Sequence, residues 1–236
     1  MKAAPHLLVL AALLAVPDRA LAETKHFDLP PFTFVSVSAG ITAIVTIGPS
    51  QSVTAEAPSQ GILSRLAIGV DAERLNIGMN WDMLDFVFNF AQRPGIVVRV
   101  TTPEIVGIDA SSGANVDAKG MAGDHLSLDA SSGAALAVPD FSGGVLNASA
   151  SSGATIEVTG TCTDLNADGS SGGHVRAQNL KCDRLDATGS TGGSVIAYVT
   201  KSAQVRGSVG GSVTVLGNPE TLDQQASTGG WVKVGE

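Results

Sequence analysis

Asp109 and Asp129 stand twenty residues apart in equivalent settings, Ile108-Asp109-Ala110 and Leu128-Asp129-Ala130, and Asp117 follows the first of them by eight. Two carboxylates flanking one bond can act as acid and base in glycoside hydrolysis, and a set of carboxylate oxygens can hold Ca²⁺. Read that way, Asp109, Asp117 and Asp129 form the acidic site of a polysaccharide lyase or hydrolase. The competing reading is a solvated polar face. Neither the aspartate pair with Gly-His-Gly and Arg-x-Lys of polygalacturonases nor an arginine beside a calcium cluster, as in pectate lyases, occurs in the chain. No catalytic residue, metal ligand or cofactor is therefore assigned.

Other reactive side chains point to structure. His26, His125 and His174 are scattered without metal-ligand spacing. Ser-Ser-Gly resembles a nucleophile motif, but its recurrence without an accompanying base argues for turn chemistry. The aromatic residues are few, and Trp81, Phe86, Phe88 and Phe90 cluster between Met79 and Gln92. Alternation at 86, 88 and 90 puts three rings on one face of an extended run. Such a stripe contacts a ligand or partner, by stacking on sugar rings or docking a protein, or else caps the core. Trp231 reads the same way.

These residues are positioned by a repeat. The marker glycines Gly113, Gly133, Gly153, Gly172, Gly192, Gly210 and Gly229 recur every 18 to 20 residues, and a serine stands two residues before each. Three residues after the marker the column is wholly apolar, from Val116 and Leu136 to Val213 and Val232. Five before it the column is also apolar until Gln224 breaks it. Polar columns lie between, including the one that carries Asp109 and Asp129, so each coil alternates with the period of two that marks strands. The residue after the marker is always Ala or Gly, as is the residue three before it. The chain is expected to bend there, with glycine supplying unusual backbone angles and the serine hydroxyls satisfying turn groups.

Coils in register stack about 4.8 Å apart and pair in parallel. The expected fold is all-β: a single-stranded parallel β-helix, right-handed in preference, with 18–20 residues per coil. Left-handed hexapeptide, pentapeptide and calcium-binding nonapeptide repeats each demand a register that is missing here. Burying an aliphatic side chain gives only about 1.5 to 3 kcal/mol while ordering each residue costs about 1 to 2, so no coil holds by itself and the stack folds as a unit.

Residues 1–22 read as a signal peptide: Lys2, an apolar run from Leu7 to Val16, and Ala20-Leu21-Ala22 with cleavage after Ala22. The protein is expected to be exported, to the periplasm or beyond the cell, without a transmembrane segment. Residues 23–102 read as irregular β coils of the same domain, and 103–236 as the regular Ser-Ser-Gly helix. Removing the leader takes the net charge from −8 to −9, because Lys2, Asp18 and Arg19 together carry +1. Nucleic acid, which needs a basic stripe, is thereby disfavoured. Cys162 and Cys182 fall three residues before Leu165 and Leu185 in adjacent coils and should stack; export favours a disulfide over two reduced thiols.

The strand Ile96-Val97-Val98-Arg99-Val100, the phrase from Pro103 to Ala114 (PEIVGIDASSGA) and the recurring Ser-Gly-Ala corners resemble the bacterial head GIN domain family, whose members are described as putative autotransporter adhesin heads of unknown function. The resemblance covers roughly 34–234. It implies an exported, non-enzymatic β-helical protein and transfers no site residue. The chain ends at Glu236 without a membrane barrel or wall-anchoring tail, so a complete autotransporter is not expected. The leading expectation is a non-catalytic adhesin-like scaffold that binds a surface ligand, polysaccharide or an envelope protein. The alternatives are the acidic polysaccharide enzyme and a structural envelope protein that self-assembles; the sequence leaves the oligomeric state open.

Overall fold

A computed structural model describes residues 23–80 and 95–235. The chain forms a parallel β-solenoid of about six turns, 68% strand and 2% helix. Strands β1 (Glu23–Phe27), β2 (Phe34–Val37), β3 (Thr42–Ile47) and β4 (Ser52–Ala57) precede a single-turn helix, α1 (Gln60–Leu63). Strands β5 (Leu66–Asp71), β6 (Arg74–Met79) and β7 (Val97–Thr102) follow, and β8 (Gly107–Ala110) and β9 (Asn115–Lys119) open the regular repeat. Long strands then wrap successive turns: β10 (Ala122–Ala130), β11 (Ala135–Ala150), β12 (Thr155–Gly169), β13 (His174–Gly189) and β14 (Ser194–Ser208). The described chain closes with β15 (Ser212–Leu216), β16 (Thr221–Ser227) and β17 (Trp231–Val234).

Register follows the sequence columns. Asp109 pairs with Asp129, Leu136 with Ile156, Leu165 with Leu185, and Val195 with Val213. The apolar columns face inward: Val116, Leu136, Ile156, Val175, Val195 and Val213 are all buried. Gln224, the exception in its column, belongs to β16, the last turn, where every residue but Leu222 is exposed. A polar side chain is tolerated there because, among the described residues, no further coil stacks on it.

The Ser-Ser-Gly corner is a tight turn closed by the backbone. Ser112 has φ 52° and Gly113 φ 74°, and the Ala114 N–H donates to the Ser111 carbonyl at 3.0 Å, the pattern of a type I′ turn. The Gly113 N–H donates to the Ser132 carbonyl of the next turn at 3.0 Å, so corners are bonded to corners. The left-handed conformation falls on the marker glycine and on the residue before it, which is Thr191, Val209 or Thr228 in later turns. The small residue after the marker answers to space. The serine hydroxyls are not what closes the bend.

Stacking order departs from chain order at the N-terminal end. β2 lies between β6 and β8, and β3 between β7 and β9. The first turn is thus laid down in the middle; the chain then leaves it, builds the terminal rung from β6 and β7, and returns on the other side. Beyond that rung β4 pairs antiparallel with β7, β1 pairs with β4, and β5 pairs with β6. Arg74 fastens the inserted rung: its guanidinium lies 3.7 Å from the centroid of the Phe34 ring one rung away and bonds Asp109 two rungs away. The Phe34 ring covers Gly107, where an added Cβ would come within 2.0 Å of it.

Candidate functional site

The three aspartates singled out by sequence do not form one cluster. Asp109 and Asp129 are neighbours across the β8–β10 pairing, on one outward column. Asp109 is engaged by Arg74. Asp117 lies past the corner, on β9, where Lys119 Nζ sits 3.0 Å from its Oδ2. No group of three potential metal ligands occurs among the described residues. Trp81, Phe86, Phe88 and Phe90 lie outside the described residues, as does the expected leader at 1–22. Cys162 and Cys182 form a disulfide with a Cα–Cα distance of 4.5 Å across adjacent turns.

Asp129 is the carboxylate whose environment is unfavourable to charge. Burial pushes its pKa up, and the neighbouring Asp109 charge adds to this, against opposing contributions from the Ser127 hydroxyl and Arg74. Burial also raises Asp168, two turns further along the same column. A raised native pKa means that the folded protein holds the proton more firmly than the unfolded chain does. Stability therefore falls as the pH rises from below the usual value of 3.8 through the native pKa. Asp129→Asn is expected to be more stable than the parent near neutral pH, by less than about 1 kcal/mol because water screens the site. The difference should vanish at about pH 3, where the parent carboxyl is protonated in both states. Urea midpoints at the two pH values measure it; equal midpoints at neutral pH would contradict the assignment.

A concavity among the described residues lies elsewhere. An open groove of about 470 Å³ runs along the stack between two outward columns, over the inward Leu165, Leu185 and Ala203. Its walls carry Asp164, Asn166, Arg184, Asp186, Gln204 and Asp223. Arg184 grips Asp164 in a fork, Nη2 to Oδ2 at 2.7 Å and Nε to Oδ1. That fork raises the already high Arg184 pKa, keeping the cation fixed. Arg206 Nη1 stands 3.6 Å from Asp186 Oδ1. Beyond Asn166 the polar row continues: Asn166 Nδ2 donates to Asn147 Oδ1 at 2.8 Å, and Asn147 Nδ2 donates to His125 Nε2 at 3.2 Å.

Strand pairing explains the row. Asn147, Asn166, Asp186, Gln204 and Asp223 occupy one register position on successive turns. Each stands six residues before its marker glycine, and all are carboxamides or carboxylates. That regularity was readable in the sequence, but it took the geometry to separate a groove wall from an ordinary polar surface. Such a wall presents planar donors and acceptors at the strand spacing of about 4.8 Å, suited to a chain of neutral polar groups. It has no nucleophile and base in contact.

Residues 31–219 match the family described as "Putative auto-transporter adhesin, head GIN domain". Among curated proteins the sequence has no match. A solved structure from Bacteroides fragilis, described as a putative adhesin, is similar to it with a TM-score of 0.81 at 15% identity, over 90% of this chain and 96% of that one. A Parabacteroides distasonis structure described as a putative lipid binding protein aligns with a TM-score of 0.64 at 14% identity, over 91% and 97%. A putative adhesin from Parabacteroides merdae aligns with a TM-score of 0.59 at 14% identity, over 91% and 96%. At these identities the likeness shows the fold alone.

Proposed function

Since the chain belongs to the auto-transporter adhesin head GIN domain family, we propose that it is an exported, non-catalytic β-solenoid that binds polysaccharide along the groove from Asp164 to Asp223. Residues 1–22 act as the signal peptide, cleaved after Ala22, and the rest of the chain works as one domain in the periplasm or at the cell surface. The observation that carries this reading is the wall of carboxamide and carboxylate side chains repeated turn after turn, with Arg184 held rigid by Asp164. Rows of such groups suit the hydroxyls of a linear glycan, whose own repeat lets several turns engage at once. A lipid, the ligand class in the description of one structural neighbour, fits less well, because the groove has polar walls.

Affinity electrophoresis of the protein through gels containing bacterial and plant polysaccharides tests it. Retention on at least one polysaccharide is expected, weakened about tenfold or more by Arg184→Ala or Asn166→Ala, each losing about 1.4 kcal/mol or more of binding. Glu157→Gln, outward on the same strand but outside the groove lining, should be neutral. No retention on any polysaccharide, or retention indifferent to the groove substitutions, would refute the reading. New reducing ends or unsaturated products in the same mixtures, abolished by Asp129→Asn, would identify an enzyme instead.

A further inference from the structure

The two ends of the stack are finished differently. At the N-terminal end the parallel rungs are covered by antiparallel strands, and β1, which among the described residues pairs with β4 alone, carries Glu23, Lys25 and His26. Charged residues on a short strand are how natural sheets discourage further pairing. At the other end β16 pairs with β14 and β17 with β15, and neither has a second register partner among the described residues. The exposed large hydrophobic residues of the described chain all lie in the last two turns: Val209 at 54%, Trp231 at 49% and Val234 at 45%. The corner bonds from one turn to the next also stop early, with Gly192 N–H donating to the Val209 carbonyl at 3.2 Å.

We propose that this open rung is a dimerisation surface on which a second copy of the chain docks tail to tail. A two-fold axis through the last corner, at Thr228, lays β16 of one copy antiparallel to β17 of the other. That register places Asp223 opposite Lys233, Leu222 opposite Val234, and Gln225 opposite Trp231. Inward positions meet inward positions and outward positions meet outward ones, as the pleat requires. The symmetry forms the Asp223–Lys233 pair twice. An isolated extended peptide could add to β16 or to β17, whereas a second copy presents the same corner and engages both. Gln224, the one polar inward side chain of the rung, keeps the free surface wettable, so the dimer is reversible. A two-fold contact is closed and adds no third copy.

The donors on β17 permit a selective test. Trp231 N–H donates to the Gly211 carbonyl and Gly235 N–H to the Val215 carbonyl, so by strand alternation the N–H of Val234 points to the open side. Val234→Pro removes an edge donor without breaking the bonds to β15. Light-scattering mass measurement of the protein from Glu23 to Glu236, across a dilution series, is expected to give twice the chain mass at high concentration. Val234→Pro should give single chains with unchanged circular dichroism, and Lys233→Glu should raise the dissociation constant at least tenfold. Combining Asp223→Lys with Lys233→Glu should restore the dimer, an outcome that survives even where the proline variant fails to fold. Single chains at every concentration, open-ended polymers, or a dimer indifferent to Lys233→Glu and to the exchanged pair would each overturn the proposal.

Discussion

Gly193→Ala is expected to destabilise the solenoid by about 3 kcal/mol, the upper part of the range for overpacking. A Cβ at Gly193 would stand 2.2 Å from the Gly169 carbonyl oxygen, 2.3 Å from its carbon and 2.5 Å from the Ser170 nitrogen. All three are backbone atoms of the preceding turn, so no side chain can rotate away. The same column holds Ala114, Ala134 and Ala154, each buried, in earlier turns. From Gly173 onward this column sits against the backbone of the preceding turn: a Cβ at Gly173 would stand 2.2 Å from the Ala150 carbonyl oxygen, so the approach does not depend on whether the partner carries a methyl, and the space that Ala154 fills does not exist at Gly193. For a chain of this size the loss corresponds to a melting point about 6 to 12 °C lower. Ala154→Gly, in the roomier half, should cost only about 1 to 2 kcal/mol through a lost methyl contact and added chain freedom. Gly192→Ala provides a contrast at the adjacent position. Its Cβ would meet nothing within 4 Å, but φ is +73°, so the cost is the left-handed strain of about 1 to 2 kcal/mol. Thermal unfolding of the three variants separates space from backbone angle, and a Gly193→Ala protein that melts with the parent would show that the corner can open.

Removing the Cys162–Cys182 disulfide should cost a similar amount. The bridge joins residues 20 apart, and the chain-entropy account assigns about 3 kcal/mol to a loop of that size. Both cysteines are buried and point inward, on a column that carries Gly123 and Gly143 in earlier turns and Val199 in a later one. The double variant Cys162→Ala with Cys182→Ala avoids placing a hydroxyl in that core. Its melting point should fall by about 6 to 12 °C, and reductant should bring the parent down towards the variant while leaving the variant unmoved. Because each turn contacts mainly its neighbours, hydrogen exchange should quicken most in β12 and β13. A variant as stable as the oxidised parent would show that the stacked turns already hold without the staple.

Much of this molecule is local in origin and therefore legible along the chain. A period of 18 to 20 residues, alternation of apolar and polar positions, and a small residue on either side of a Ser-Ser-Gly corner each concern neighbours in sequence or equal positions in successive turns. They specify coils, an inside and an outside, and the stacking of Cys162 on Cys182. The anomaly at Gln224 falls in the last of the described turns. Rung order at the N-terminal end is another matter. The runs at Phe34–Val37 and Arg74–Met79 look alike as strands, and nothing near either says that the later one pairs outside the earlier while Gly107–Ala110 pairs on the other side. That choice is made by remote contacts, Arg74 across Phe34 to Asp109 and the Phe34 ring upon Gly107. The same holds for the carboxylates, since whether Asp109 is free or bound to a guanidinium depends on a residue 35 positions away. Polar columns announce only that they face outward. Which two of them enclose a groove, and which end of the stack keeps an unpaired edge, depends on how the turns close on one another, and that is a property of the packed solenoid.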